Sequence, residues 1–360
     1  MASRLTSMAT VLVTGGAGYV GSHTCVALLQ AGHEVAVVDS LANSSAGAID
    51  AVAGITGCRP RFDAVDCRDE VALEKIIAEV RPDAVFHFAG LKSVPESVKD
   101  PLRYYRHNLE SAAVLLSVMN RAGAHRIVFS SSATVYGVPD ELPVAETASL
   151  RPCNPYGWTK LMVERMITDM VEADPRWSAA LLRYFNPVGA HPSGLIGEDP
   201  GGVPGNLMPY LLQVAVGRRP ALPLYGTDYP TPDGTARRDY IHVMDLADGH
   251  LAALGNLESS AGQAMICNLG TGRAVSVLEV IEAMEKVSGH SLPHEVCDRR
   301  PGDVPELWAD PAQAFRDLGW SANRTLADMC RDAWTWQSSH PWGYRRLPPT
   351  IPTTGAGVLP

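Results

Sequence analysis

Short runs of β-branched and other apolar residues recur through the first half of the chain, separated by stretches whose apolar residues fall at helical spacing. "TVLVTG" (10–15), "HEVAVVD" (33–39), "DAVFHFAG" (83–90), "RIVFSSS" (126–132) and "AALLRYFN" (179–186) read as strands. Between them, Val71, Leu73, Ile76, Ile77 and Val80 suggest one helix face. This alternation predicts an α/β fold, a doubly wound parallel sheet covered by helices on both faces. After Asn186 the pattern breaks. Residues 187–235 are rich in Pro and Gly, a texture of loops and short elements that fits a smaller, ligand-covering lobe. Strand character returns over 237–250 and 263–272, which would partly rejoin the first lobe. The last residues, 346–360, are rich in Pro, Thr and Gly and are expected to be disordered.

Length agrees with two lobes, because a chain of 360 residues exceeds the roughly 250–300 at which single cores stop growing. The net charge is −9 with Lys and Arg scattered, which argues against a nucleic-acid binder. Any anionic ligand must be held locally. The seven cysteines (25, 58, 67, 153, 267, 297, 330) are widely spaced and contain no C-x-x-C, so a disulfide framework is not expected and a reducing, cytoplasmic setting is. The N-terminal "MASRLTSMA" lacks the apolar stretch of a signal peptide, Met8 offers an alternative start, and no run approaches 18 apolar residues. His290, His294 and Cys297 have loosely ligand-like spacing, but Pro293 interrupts them and no fourth partner is near, so no metal is expected.

"VLVTGGAGYVGSH" sets Gly16, Gly18 and Gly21 in G-x-G-x-x-G register between a strand and a helical pattern. Glycine there permits a tight turn, close approach of backbone to a pyrophosphate, and close packing of helix on strand. The second strand ends in Asp39, 18 residues after Gly21, where a carboxylate can accept hydrogen bonds from the adenosine ribose. The first lobe therefore reads as a Rossmann dinucleotide-binding domain over 1–190. Asp39 would repel a 2′-phosphate, and neither Ser40 nor Leu41 offers a compensating cation, so NAD is favoured over NADP. "VDCRD" and "FHFAGLKS" are expected to bring Asp66, Ala89 and Gly90 to the same sheet edge, with His87 inside its strand as a core histidine.

"FSSSATVYG" (129–137) puts hydroxyl side chains directly after an apolar run, at the carboxyl edge where open α/β sheets bind ligands. In "NPYGWTK", Asn154 can cap a helix and Pro155 suits its first position, so Tyr156 and Lys160 share a helical face. A nearby ammonium and a positive nicotinamide ring would both favour the phenolate, lowering its pKa towards the working range. One hydroxyl from 130–132 could then pass a proton between substrate and Tyr156.

At these residues the chain resembles the extended short-chain dehydrogenase/reductases, and within them the UDP-galactose 4-epimerase family. The similarity runs from about Val11 to Tyr344 and includes "GYVGSHTCV", "HFAGLKSV", "SSSATVYG", "LLRYFNPVGAHPSG", "NLMPY", "RRDYIHVMDLADGH" and "RRPGD". The resemblance implies Tyr156 as base, Ser132 as hydroxyl shuttle and Lys160 as the residue that binds the nicotinamide ribose. It implies a resident NAD held by Gly15, Gly16, Gly18, Tyr19, Val20, Gly21, Asp39, Asn43, Asp66, Cys67, Phe88, Ala89, Gly90, Lys92, Asn108, Tyr156, Lys160 and Tyr184. Lys92 would lie over the pyrophosphate. A UDP-sugar would be met by Lys92, Ser132, Thr134, Tyr156, Asn186, Asn206, Leu207, Arg238, Arg300, Asp303 and Leu307, which makes 191–345 the nucleotide-sugar-binding domain. The implied reaction oxidises the sugar at C4, turns the 4-keto sugar and re-reduces it. A homodimer through helices beside the catalytic helix is also implied.

Related 4,6-dehydratases carry an Asp-Glu pair where this chain has Ala133 and Thr134, so elimination lacks its proton carriers. Another NAD-dependent nucleotide-sugar enzyme of this type, a decarboxylase or dehydratase, and an inactive NAD-binding regulator are the alternatives. The chain departs from the family at Gly205, where Asn is common, and at Trp158, where a small or basic residue is usual. At Leu307 the family's Tyr restricts the pocket to plain hexoses and its Cys or Ser admits an N-acetyl group. Leucine lies between, implying weak activity on N-acetylated UDP-sugars.

Overall fold

A computed structural model describes residues 8–300 and 303–344; the tail expected to be disordered lies outside the described residues. The first half alternates β1 (Thr10–Thr14), α1 (Tyr19–Gln30), β2 (Glu34–Val38), α2 (Ala46–Thr56), β3 (Arg61–Asp63), α3 (Glu70–Val80) and β4 (Ala84–His87). It continues with α4 (Val94–Lys99), α5 (Pro101–Ala122), β5 (Arg126–Ser132), a 3₁₀ turn (Ala133–Val135), α6 (Pro155–Ala173) and β6 (Ser178–Tyr184). Short elements follow: β7 (Asn186–Val188), α7 (Leu207–Ala215), β8 (Leu222–Tyr225), β9 (Arg237–Arg238) and β10 (Tyr240–His242). The chain then forms α8 (Val243–Leu257), β11 (Ala264–Leu269), β12 (Val275–Ser276), α9 (Val277–Ser288), β13 (His294–Cys297), β14 (Glu306–Leu307), α10 (Ala312–Leu318) and α11 (Leu326–Ser339).

Seven strands pair in parallel in the order β3-β2-β1-β4-β5-β6-β11, so the order reverses between β1 and β4. Ligand crevices open at such a reversal, outside the carboxyl ends of the strands. Side chains alternate across the sheet. Val11 and Val13 face Val26 and Leu28 of α1 and Leu246 and Leu254 of α8, while Leu12 faces Leu73 of α3, Leu115 of α5 and Val163 of α6. In the second lobe β9 lies between β12 and β14, β7 pairs with β10 and β8 with β13. Met208 and Leu211 of α7, Ile281 and Met284 of α9, and Met329 and Ala333 of α11 form its core.

Three local readings change. Val71 is 80% exposed because it lies about 200° round the helix from Leu73, whereas Leu73, Ile76 and Ile77 form the buried face. The strand expected to end at Asp66 ends at Asp63, where the chain turns (Val65 N–H to Asp63 O, 3.0 Å). Strand character after residue 237 stops at His242, whose imidazole accepts from Met244 N–H at 3.0 Å and caps α8. Val243, Leu246, Ala247 and His250 then recur at helical spacing and are buried.

Candidate active site

The glycine loop joins β1 to α1 at the sheet's carboxyl edge. Gly15 has φ 73°, and a Cβ on it would stand 2.6 Å from Ala89 N. A Cβ on Gly21 would strike the Gly15 carbonyl, and one on Gly16 would stand 2.7 Å from Val37 Cγ1. Only glycine lets loop, helix and sheet approach so closely. Helix α1 begins with Tyr19 and Val20, has no side-chain cap and carries no acidic residue in its first turn, leaving N–H groups for an anion. Asp39 is 7% exposed and accepts from Ala17 N–H (3.0 Å), Leu41 N–H (2.9 Å) and Ser44 Oγ (2.8 Å). A carboxylate has about four acceptor positions, so one remains for a ligand hydroxyl. This cradle fits a dinucleotide.

The other residues expected near it take varied places. Asn43 is exposed in the loop before α2, and Cys67 is buried. Asp66 pairs with Arg68 at 2.7 Å, which holds its carboxyl below the usual range. Phe88 packs against His250, with ring centres 4.9 Å apart. Asn108 clasps the segment after β4, accepting from Leu91 N–H (2.8 Å) and donating to Leu91 O (3.0 Å) and Thr159 Oγ1 (2.9 Å), with its Oδ1 3.2 Å from where a Cβ on Gly90 would stand. Lys92 pairs with Glu198 at 2.7 Å beside the ring of Tyr19, whose hydroxyl donates to Gly189 O. His87 is a core residue, bonded to Thr14 Oγ1 at 2.7 Å and pushed down to about 3 chiefly by burial.

The three serines that end β5 divide the work between them. Ser130 O accepts from Lys160 Nζ at 2.6 Å, Ser131 Oγ donates to Glu164 and Ser132 lies beside Tyr156. Asn154 caps α6 through Gly157 N–H at 2.9 Å, with Pro155 at its start, so the first turn presents Tyr156 to the strand end. Lys160 Nζ stands 5.8 Å from the centre of the Tyr156 ring. Ser132 Oγ accepts from Thr134 N–H (3.2 Å) and Thr134 Oγ1 (3.0 Å), leaving its own proton to donate. A substrate hydroxyl would compete with Thr134 Oγ1 for one of these positions.

The acidities show what the protein's own groups contribute to this reading. Burial pushes Tyr156 up to about 12, offset only in part by the Ser132 hydroxyl, and pushes Lys160 down to about 8 against the attraction of Glu164. The ammonium one turn along does not by itself lower the phenol. Tyr184, at the end of β6, is also raised by burial and meets His250.

Across the crevice, Arg238 on β9 and Arg300 converge on Asp303, at 3.6 and 3.1 Å. Arg300 also donates to Gly205 O (3.4 Å) and lies over the Tyr225 ring (4.7 Å). A Cβ on Gly205 would find only Ser93 Oγ, at 3.9 Å, so this departure keeps a backbone contact and forgoes a side chain. Asn186 opens β7, Asn206 precedes α7 without capping it, and Leu207 begins that helix in the second lobe's core. Leu307 pairs with Arg238 across β9–β14 and packs with Ala133, Tyr136 and Phe185. It thus spans from the arginine pair to the turn after Ser132. Trp158 is 40% exposed on the outer face of α6. Among the described residues no group of three or more His, Cys, Asp or Glu could hold a metal, and no helix is long and apolar enough to cross a membrane.

Sequence reasoning missed Tyr225, Glu164 and Arg183. An aromatic in "LPLY" gives no signal until Arg300 meets it from 75 positions away, and Arg183 is hidden inside an apolar strand pattern.

The NAD dependent epimerase/dehydratase family model matches residues 11–270. The chain belongs to that family. It is 56% identical over 335 residues to a UDP-glucose 4-epimerase of Bacillus subtilis, covering 93% of this chain and 98% of that protein. The structure of a UDP-glucose 4-epimerase from Bifidobacterium longum, in complex with NAD+ and UDP, superposes with a TM-score of 0.90 at 50% identity, covering 93% of this chain and 99% of that one. A UDP-Glc/GlcNAc 4-epimerase from Campylobacter jejuni is similar at 36% identity and a TM-score of 0.80, covering 92% and 99%.

Proposed function

We propose that the protein interconverts UDP-glucose and UDP-galactose by oxidation at sugar C4, rotation of the 4-keto sugar about its diphosphate link, and reduction from the other face. The observation that carries this reading is the convergence of Ser132, Tyr156 and Lys160 at the sheet edge, opposite Arg238, Arg300 and Asp303 and without a carboxylate pair at Ala133 and Thr134. NAD, when bound, would take and return the C4 hydride and bring the positive charge that favours the Tyr156 phenolate. The reaction ends with the cofactor in its starting state, so it stays resident.

The chain's own groups bind, orient and move the proton. Gly15, Gly16, Gly18, Tyr19, Val20 and Gly21 cradle the dinucleotide phosphates, Asp39 and Asn43 meet the adenosine ribose, and Asp66 and Cys67 flank the adenine. Phe88, Ala89, Gly90, Lys92 and Asn108 line the middle, and Tyr184, Tyr156 and Lys160 the nicotinamide end. Ser132 takes the 4-OH proton as it donates its own to Tyr156, within hydrogen-bond reach as general-base transfer requires. Arg238 and Arg300 hold the substrate diphosphate, Asp303 the uridine ribose and Tyr225 the face of the base. Asn186, Asn206 and Leu207 fix the nucleotide, while Lys92, Thr134 and Leu307 border the sugar, in a nucleotide-sugar lobe over 191–345.

Incubation with UDP-galactose and no added NAD, followed by product analysis, tests the reading. UDP-glucose should form up to equilibrium; unchanged substrate, or a product that has lost water or carbon dioxide, overturns it. We further infer a homodimer, since Leu102 on α5 and Trp158 and Met162 on α6 are large, exposed apolar side chains on two helices that pack side by side. Trp158→Arg should halve the mass measured by light scattering; an unchanged mass sinks this assignment.

A further inference from the structure

A charged pair that no step of the reaction uses lies beneath the catalytic helix. Arg183 is 1% exposed and Glu164 4%. Arg183 Nε donates to Glu164 Oε1 at 3.0 Å and its terminal nitrogen to Oε2 at 2.7 Å, a bidentate fork between β6 and α6. Its other nitrogen reaches Tyr136 Oη (3.0 Å) and Glu146 O (3.2 Å), and Tyr136 donates to Asn268 Oδ1 on β11 at 2.6 Å. Glu164 also accepts from Ser131, the residue before Ser132. Glu164 is one helical turn beyond Lys160, and β6 pairs with β5 so that Arg183 lies beside Ser131 and Tyr184 beside Ser132. One ion pair thus ties the register of α6 to the strand ends that carry the chemistry.

Stability is a weak reason to bury such a pair, because well-packed apolar replacements are often neutral or stabilising. We propose that Glu164 and Arg183 are positioning residues for the reaction: the pair fixes where Tyr156 and Lys160 meet Ser132 and sets the field at Lys160 without touching substrate. The inference rests on the epimerase reading above.

The titratable groups that surround Lys160 are Tyr156 and Glu164 on α6, His87 on β4, Arg183 and Tyr184 on β6, and Tyr136 in the turn. Burial keeps His87 neutral, down to about 3, and Tyr136 and Tyr184 neutral at pH 7, while Tyr156, raised by burial, is the group whose phenolate bound NAD would favour. On α4 and α5, Arg103 pairs with Glu96, Glu110 approaches Arg68 and Arg121 pairs with Glu70 and Glu74, Lys99 and Arg106 are exposed, and burial lowers His107. Besides a Tyr156 phenolate, Glu164 and Arg183 are the buried charges that accompany Lys160, and Glu164 favours its ammonium form. Removing Glu164 leaves Lys160 to lose its proton at lower pH.

The test uses the full-length holoenzyme and the matched apolar pair Glu164→Met with Arg183→Met, measuring kcat and KM for UDP-galactose across pH, UDP affinity and thermal midpoint. Expected for the double variant are a thermal midpoint at or above wild type and kcat lower by at least about tenfold with KM within about threefold, and for Glu164→Gln alone, which keeps the Arg183 cation, an alkaline limb of kcat moved to lower pH. A folded double variant with kcat within about threefold of wild type, or a limb unmoved in Glu164→Gln, overturns the proposal. Should the double variant fail to fold, Ser131→Ala, which removes one bond to Glu164 and no charge, decides: kcat down severalfold with KM kept supports positioning, and unchanged kcat refutes it. A wild type that does not interconvert the two sugars brings down the epimerase reading itself, whereas an active wild type with unaffected variants brings down only the positioning role.

Discussion

Lys160 should cost the fold stability that it returns as catalysis, and Lys160→Met separates the two. The ammonium is 6% exposed, and burial moves it from 10.5 to about 8. At about 1.4 kcal/mol per pH unit, that depression is worth about 3 kcal/mol against the charged form. The ammonium also donates to Ser130 O at 2.6 Å, and the depressed acidity is the balance left between such favourable contacts and burial. Methionine, of similar length and uncharged, should therefore leave the nucleotide-free protein at least as stable at pH 7 while turnover falls by about 10² or more. The pH dependence is the sharper test. With the folded pKa depressed, the unfolded chain binds more protons between about 8 and 10.5, so the wild type gains stability across that window as pH rises. That gain is lost as pH falls through about 8, and the methionine variant has none of it. The advantage of the variant should shrink by about 2–3 kcal/mol between pH 7 and 10. Urea unfolding of nucleotide-stripped proteins at both pH values measures it directly, with other titrating groups cancelling in the difference. A variant less stable at pH 7, with a gap that does not change with pH, would refute the reasoning that Lys160 is a buried cation held against its solvation.

Denatured protein should release NAD into the supernatant, and activity should not require added cofactor; an empty supernatant with strict dependence on added NAD removes the resident-cofactor assignment. Tyr156→Phe and Ser132→Ala should each lower turnover by about 10²–10⁴-fold with UDP binding retained, and a loss within about threefold would exclude them from proton transfer. Leu307→Ser should raise, and Leu307→Tyr lower, the rate on UDP-N-acetylglucosamine relative to UDP-glucose, each within the roughly 10–200-fold that one pocket misfit is worth. Ratios unchanged in both variants would make Leu307 a packing residue of the cluster with Tyr136 and Phe185.

What could be read from the chain was carried by neighbours in sequence. The glycine register before α1, Asp39 at the end of β2 and the Asn154–Pro155 start of α6 each depend on a few adjacent residues, so their geometry is written where they stand. What escaped was carried by burial and by partners far along the chain. Tyr156 is expected to be acidified by the ammonium four residues on together with a nicotinamide ring, and the closing of β5, β6 and the following turn around it adds a burial that opposes them and that no local pattern announces. Arg183 shows why such omissions concentrate at the site. In "AALLRYFN" it interrupts an apolar strand, and only Glu164, Tyr136 and the Glu146 carbonyl, from three other segments, allow a guanidinium to be buried there. A buried strand that tolerates a charge near its end implies a partner already waiting in the fold. Here that partner is one turn from Lys160, so the position least explained by local preference leads directly to the catalytic helix.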